Sequence, residues 1–169
     1  YPIKAPMIDL TECSAGGGSI ARVDALGALK VGPGSAGADP GPVCYGRGGT
    51  EPTVTDANLV LGRINPDYFV GGEATLDLKR AQLAIEQRIA RPLRLTVTQA
   101  AAGIVALVNA HMVRILRVVS VSRGLDPRAF SLAAFGGAGP LHAADLAAEL
   151  QIPHVVIPEA PGVFSALGL

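Results

Sequence analysis

Phe130-Ser-Leu-Ala-Ala-Phe-Gly-Gly-Ala-Gly-Pro-Leu-His142 is the stretch on which the fold turns. Phe130 to Phe135 is a short uncharged run, which predicts a central parallel strand covered on both faces. Gly136, Gly137 and Gly139 permit backbone angles and close approaches that a Cβ would block. Pro140 suits the first helical position, where its missing N–H costs nothing. Leu141 to Gln151 then reads as a helix and His154 to Ile157 as a second apolar strand. Strand, helix and strand at this spacing form a right-handed parallel crossover, so the class is α/β. Ligands of such folds sit at the carboxyl ends of the strands, where these glycines lie.

Working outward, 169 residues suffice for one domain with a true core. The apolar fraction is 49% but the aromatic fraction only 4%, so Ala, Val, Leu and Ile must build that core. Fourteen basic and fourteen acidic residues cancel, which removes the electrostatic footprint expected of a nucleic-acid or anionic-membrane binder. Two cysteines, Cys13 and Cys44, are too few for a disulfide framework and predict a reducing, cytoplasmic setting. The chain opens Tyr-Pro-Ile-Lys and stops at Ala166-Leu-Gly-Leu169, inside an apolar helix start, so a piece of a longer protein is expected.

Three stretches of that one domain differ in character. Residues 1–31 read as a small antiparallel meander: Met7–Leu10 is a short apolar segment, Ile20–Asp24 alternates, and Ala25-Leu-Gly-Ala28 turns the chain into Leu29–Val31. Residues 32–75 are rich in Gly and Pro, and fit either an ordered functional loop or a mobile linker. Within them, 55–62 predicts one or two helical turns capped by Thr55 or Asp56. Residues 76–169 hold the helices and the crossover. A helix is predicted over Leu76–Ala90, ended by Pro92. Thr96-Val-Thr-Gln99 has the form of a capping box and starts the longest helix, Val97–Arg123, stopped by Gly124. Its first half is apolar nearly all round and predicts burial. Ala dominates that run and polar residues break it short of the roughly 20 residues a bilayer needs, so no membrane span is expected.

Seven ordered blocks resemble the A-type subunits of the hydantoinase/oxoprolinase family. They are Ala15-Gly-Gly-Gly-Ser-Ile-Ala21, Val31-Gly-Pro-Gly-Ser-Ala-Gly-Ala-Asp-Pro-Gly-Pro42, Cys44-Tyr-Gly-Arg-Gly-Gly-Thr50, Pro52-Thr-Val-Thr-Asp-Ala-Asn-Leu-Val-Leu-Gly-Arg63, Ser120-Val-Ser-Arg-Gly-Leu-Asp-Pro-Arg128, Phe135-Gly-Gly-Ala-Gly-Pro-Leu-His-Ala143 and Pro161-Gly-Val-Phe-Ser-Ala-Leu-Gly168. The resemblance implies part of an actin-like ATPase of ribonuclease-H-like type, with ATP and Mg²⁺ as cofactors. It also implies a cyclic amide (hydantoin or 5-oxoproline type) as substrate and a B-type subunit or domain as partner. Ketone carboxylation is the family's alternative chemistry, and subunit docking without catalysis is the non-enzymatic one. The superfamily's Asp-x-Gly-Gly-Thr phosphate loops do not occur in this chain, so the resemblance implies that it is inactive alone. Where the family often has Ile-Gly, this chain has Cys13-Ser14.

The site candidates follow. Gly136, Gly137, Ala138 and Gly139 resemble the turn that contacts adenosine in that superfamily; the plainer alternative is a tight turn packing helix on sheet. A Rossmann reading fails because the third glycine of Gly-x-Gly-x-x-Gly is missing. Gly16, Gly17, Gly18 and Ser19 fit an anion nest or a bulged strand start. Asp39, Asp56 and Asn58 carry the oxygen ligands a hard cation such as Mg²⁺ takes, though capping is the commoner use of these residues. His142, one turn into the helix and facing the expected cleft, is the candidate donor or acid–base group; the plainer alternative is a polar residue of the helix start. Arg47 is the candidate grip for a substrate carboxylate or phosphate, and Cys44 a weaker candidate nucleophile.

Overall fold

A computed structural model describes residues 10–168; Met7 to Asp9 of the first apolar segment lie outside it. Strands β1 (Ser19–Val23) and β2 (Leu29–Ser35) form an antiparallel hairpin in the register Ala21↔Val31, Arg22↔Lys30 and Val23↔Leu29. Asp24 closes the turn, its Oδ1 accepting the N–H of Leu26 (3.0 Å) and of Ala28 (2.9 Å). Among the described residues the hairpin gains one further bridge, Ile20 to Thr53, and no third strand.

Helix α1 is Val54–Val60. Its cap is Thr53, not Thr55 or Asp56 as the sequence suggested. Thr53 Oγ1 accepts from Asp56 N–H, and the Asp56 carboxylate reaches back to Thr53 N–H, a complete capping box. Helix α2 (Leu78–Ile85) does not stop before Pro92. It widens through a π turn at Glu86–Ala90 and runs on through Arg91–Leu93, until Arg94 adopts left-handed angles. A proline inside a regular α-helix collides with the carbonyl four residues back. Here the turn before Pro92 is wider than α, with Arg91 N–H reaching the Glu86 carbonyl, and the ring is accommodated.

The long helix α3 (Val97–Val119) starts at the expected Thr96–Gln99 capping box. By length and by the hydropathy of its most apolar stretch, Val97–Arg123 could cross a membrane. One stripe of it, Ala100, Ala101, Ile104, Val105 and Val108, is buried against the hairpin, α1 and α2, while Ala102, Ala106 and Ala110 are exposed, so the first half is buried on one side and not all round as expected. Small residues let these elements close up: a Cβ on Gly103 would stand 3.3 Å from Leu29 Cδ2. Ala, Val and Ile therefore fill the main core, as the composition required.

The crossover is present as strand β3 (Ser131–Ala133), helix α4 (Gly139–Leu150) and strand β4 (His154–Val156). The strands are parallel in the register Ser131↔His154, Leu132↔Val155 and Ala133↔Val156. Helix α4 packs on α3 through Val113, Leu146 and Leu150, with Leu132 against them. The expectation of a strand covered on both faces is not met. Phe130 is 49% exposed, Phe135 45% and Val156 52%, and β3 pairs with β4 alone among the described residues.

Candidate functional site

Two glycine loops far apart in sequence meet in space. A Cβ placed on Gly17 would stand 2.7 Å from Thr55 Oγ1 and 3.5 Å from Ala138 Cβ. Thr55 fixes the first loop, donating to the Gly17 carbonyl from both its N–H and its Oγ1 (2.9 Å each). Ser19 is buried, and its Oγ accepts from Gly16 N–H at 3.0 Å while its own N–H bonds the Gly16 carbonyl. The Ser19 hydroxyl is thus engaged inside the turn.

The second loop is built differently. Gly136 takes a left-handed φ of +83°, which calls for glycine, and its N–H donates to the Pro161 carbonyl at 2.7 Å. Gly137 and Gly139 have ordinary φ, and a Cβ on either would meet nothing within 4 Å. Helix α4 begins there with no side-chain cap on its first N–H groups. An apolar cavity of about 280 Å³ lies beside the loop, lined by Leu132, Phe135, Gly139 and Met112 among others.

His142 does not face an open cleft. It is fully buried (0% exposed), with Nδ1 2.7 Å from Asn109 Oδ1 on α3. Asn109 Nδ2 donates to Asp145 Oδ2 at 3.0 Å, and Arg63 Nη1 donates to the same oxygen at 2.8 Å. Since Asn109 spends its N–H on Asp145, its oxygen faces the imidazole, and the bonding pattern assigns the proton to Nδ1. Burial, and then the Arg63 charge, lowers the imidazole pKa, against a smaller upward pull from Asp145. His142 is a neutral brace between α3 and α4. Sequence reading missed its partners Arg63, Asn109 and Asp145. The available signal was an Asn inside an otherwise apolar helix stripe, which fits burial only with a partner.

Asp56 is likewise committed. Fully buried, its carboxylate accepts from Val43 N–H (3.2 Å), Cys44 N–H (2.8 Å), Thr53 N–H (2.8 Å) and Thr53 Oγ1 (2.8 Å). It ties the Gly/Pro-rich segment to α1 and has no room for a cation. Asp39 is exposed, and among the described residues no cluster of His, Cys, Asp or Glu is arranged to hold a metal ion. Cys44 is buried, and burial first, then the Asp56 carboxylate, pushes its thiol well above the ordinary range, which works against a nucleophilic role. Arg47 is exposed, with its guanidinium 6.0 Å from the Tyr45 ring centroid. Ser14, in place of the expected glycine, keeps a left-handed φ of +47°.

The chain is similar to several known proteins. The chain is 50% identical over 168 residues to the caprolactamase subunit alpha of Pseudomonas jessenii, covering 99% of this chain and 24% of that protein. The crystal structure of the ATP-dependent caprolactamase from the same organism superposes with a TM-score of 0.83 at 51% identity, over 90% of this chain and 22% of that one. A nucleotide-free acetone carboxylase, from work on ATP-dependent acetone carboxylation, gives a TM-score of 0.85 at 39% identity, over 91% and 22%. The chain thus spans a quarter or less of the length of the relatives it matches. The Hydantoinase/oxoprolinase family description matches residues 1–169 throughout, and the chain belongs to that family.

Proposed function

We propose that this chain is a segment of an ATP-dependent subunit that opens cyclic amides of the hydantoin or 5-oxoproline type, and that it forms the adenosine side of the nucleotide cleft in an actin-like domain. The observation that carries this reading is the pair Gly137 and Gly139. Neither φ nor crowding within the chain requires glycine at either position, so the space in front of them is left for something else. A ribose or purine fits a surface of bare backbone beside uncapped helical N–H groups. Gly136 to Gly139 would hold adenosine, and Gly16 to Gly18 would border the same space, since a Cβ on Gly17 would come within 3.5 Å of Ala138 Cβ. Bound ATP would supply the phosphoryl group that activates the amide oxygen. Arg47, exposed on its loop, would grip a carboxylate or phosphate. His142 would act as a positioning residue, because its buried imidazole braces the helix that presents the glycines. Asp39 and Asp56 do not fit a Mg²⁺ site, so no step through that ion is assigned to residues of this chain. The relatives' subunit designations support a partner protein, for which a B-type subunit is our choice, and the free thiols Cys13 and Cys44 support a cytoplasmic location.

The test uses the full-length protein that carries this segment. Gly137→Val should weaken ATP binding at least about tenfold, about 1.4 kcal/mol, by titration calorimetry, with the melting temperature preserved. Unchanged affinity would sink the adenosine assignment. ATP hydrolysis should be stimulated by hydantoins or 5-oxoproline, and the 169-residue chain by itself should show none. The likeness to acetone carboxylase favours one second reading, ketone carboxylation. It would be recognised by ATP turnover that needs a ketone and bicarbonate and ignores cyclic amides.

A further inference from the structure

A cavity of about 550 Å³ lies between the hairpin and α3, a size that admits a small organic molecule. Leu107, His111, Arg114 and Ile115 line it from α3, and their spacing puts them on one face of that helix. Arg22 and Lys30 line it from the hairpin, and Glu12, Cys13 and Ser14 from the segment before β1.

The charges of the whole chain cancel, but those of this lining do not. Arg22, Lys30 and Arg114 carry three positive charges against the one carboxylate of Glu12. Arg22 and Lys30 are also directly opposite in the hairpin register, so both side chains leave the same face of it. Like charges in that position repel and weaken the strand pair. Asp24 relieves them only in part: its Oδ2 stands 3.8 Å from Lys30 Nζ, and its Oδ1 is spent on the turn. Arg22 Nη1 donates to the carbonyl of Gly32, itself on the cavity wall, at 2.9 Å. Arg114 has no hydrogen-bond or ion-pair partner among the described residues. It also borders a second cavity with Asp145 and Glu149, but those carboxylates are held by Arg63 (2.8 Å) and Arg117 (3.2 Å).

We propose that this cavity is a binding site for a short aliphatic dicarboxylate, held between the hairpin cations and Arg114. A dianion matches the two positive charges left in excess. Guanidinium forks take carboxylates through two parallel hydrogen bonds. The cations stand on two walls, which favours two carboxylates on one body over a single compact phosphate. Leu29, Val31 and Ile115 offer apolar surface to a methylene chain. Bound there, the ligand screens Arg22 from Lys30 and ties the hairpin to α3. Cys13 and Ser14 lead directly into Gly16, so the occupant also borders the entry to the first glycine loop. The site is argued from the hairpin and α3 and does not use the nucleotide assignment.

Titration calorimetry of the full-length protein with glutarate, in the absence of nucleotide, tests it. One glutarate should bind per chain. Butyrate and inorganic phosphate should bind at least about tenfold more weakly, since each reaches only one of the two walls. Arg114→Gln and Lys30→Gln should each weaken glutarate at least about tenfold. Both side chains are exposed, so the melting temperature of the unliganded protein should be preserved. Saturating glutarate should raise the melting temperature of the wild type but not of the Arg22→Gln/Lys30→Gln double variant. Gly137→Val, aimed at the nucleotide, should leave glutarate affinity unchanged. Absence of glutarate binding, the result if an acidic side chain from the rest of the polypeptide fills the cavity, would overturn the proposal. So would binding that survives both single substitutions, phosphate binding as tight as glutarate, or glutarate binding lost in Gly137→Val, which would move it to the nucleotide cleft.

Discussion

The Gly/Pro-rich segment before α1 and the apolar stretch from Phe130 to Phe135 exchange the roles their compositions suggest. The first has the makeup of a linker, yet it is anchored at Val43 and Cys44 by a buried carboxylate. The second has the makeup of a core strand, yet its two phenylalanines are about half exposed. Their glycines differ in the same sense. In the anchored segment a Cβ on Gly49 would run into the Gly41 carbonyl, and one on Gly41 would stand 2.9 Å from the Ala38 oxygen. After Phe135, Gly137 and Gly139 face open space. A glycine that is sterically required belongs to the fold, and a glycine that is not required leaves room for a ligand. Residue type alone does not separate the two cases; the surrounding atoms do.

The comparison breaks most readily at Asp56. Asp56→Ala strands three buried N–H groups and should cost on the order of 3–5 kcal/mol in denaturant unfolding of the full-length protein, with Asp56→Asn intermediate. A loss below about 1 kcal/mol would mean that the segment is a linker after all. Gly49→Ala comes next, at about 2–3 kcal/mol by the same measurement, because the carbonyl it meets is backbone and cannot swing aside. Gly137→Ala should leave stability within about 0.5 kcal/mol, the range of a surface change. A large loss there would erase the contrast between the two sets of glycines.

His142 sharpens the comparison through pH. Its folded pKa is depressed by burial, so the unfolded chain binds the proton first as the solution is acidified. Its contribution to stability is present above the unfolded value of about 6.5 and is lost as pH falls toward the lower folded value. Urea midpoints measured across that window should fall for the wild type. The part of the fall due to this group should vanish in His142→Gln. A small effect of opposite sign belongs to Ser14. Relieving its left-handed φ with Ser14→Gly should add up to about 1 kcal/mol, partly offset by the greater freedom of glycine in the unfolded chain.

Local chemistry made much of the fold legible. The Thr96–Gln99 box, the turn before Leu29 and the parallel crossover at Gly139 are written in neighbouring residues. What stayed hidden depended on distant partners. Asp56 reads as a cap or, less commonly, a cation ligand until Val43 and Cys44 are seen donating to it. His142 reads as an acid–base group or a polar helix-start residue until Asn109, from the middle of α3, is found against its ring. The exposure of β3 could not be read either, because burial of an apolar strand is a property of what covers it. The π turn before Pro92 was missed because the proline rule presumes a regular helix.

That π turn has a further consequence. A helix advances about 100° for each residue, so one residue added or removed within 86–90 rotates everything beyond it by more than a quarter turn. Arg94, which ends the helix, and Thr96, which opens α3, would then leave in another direction, and the buried stripe of α3 would no longer meet the hairpin. Between Ile85 and Thr96 the chain is specified by count as well as by kind, and a one-residue gap there in an alignment would mark a change of shape.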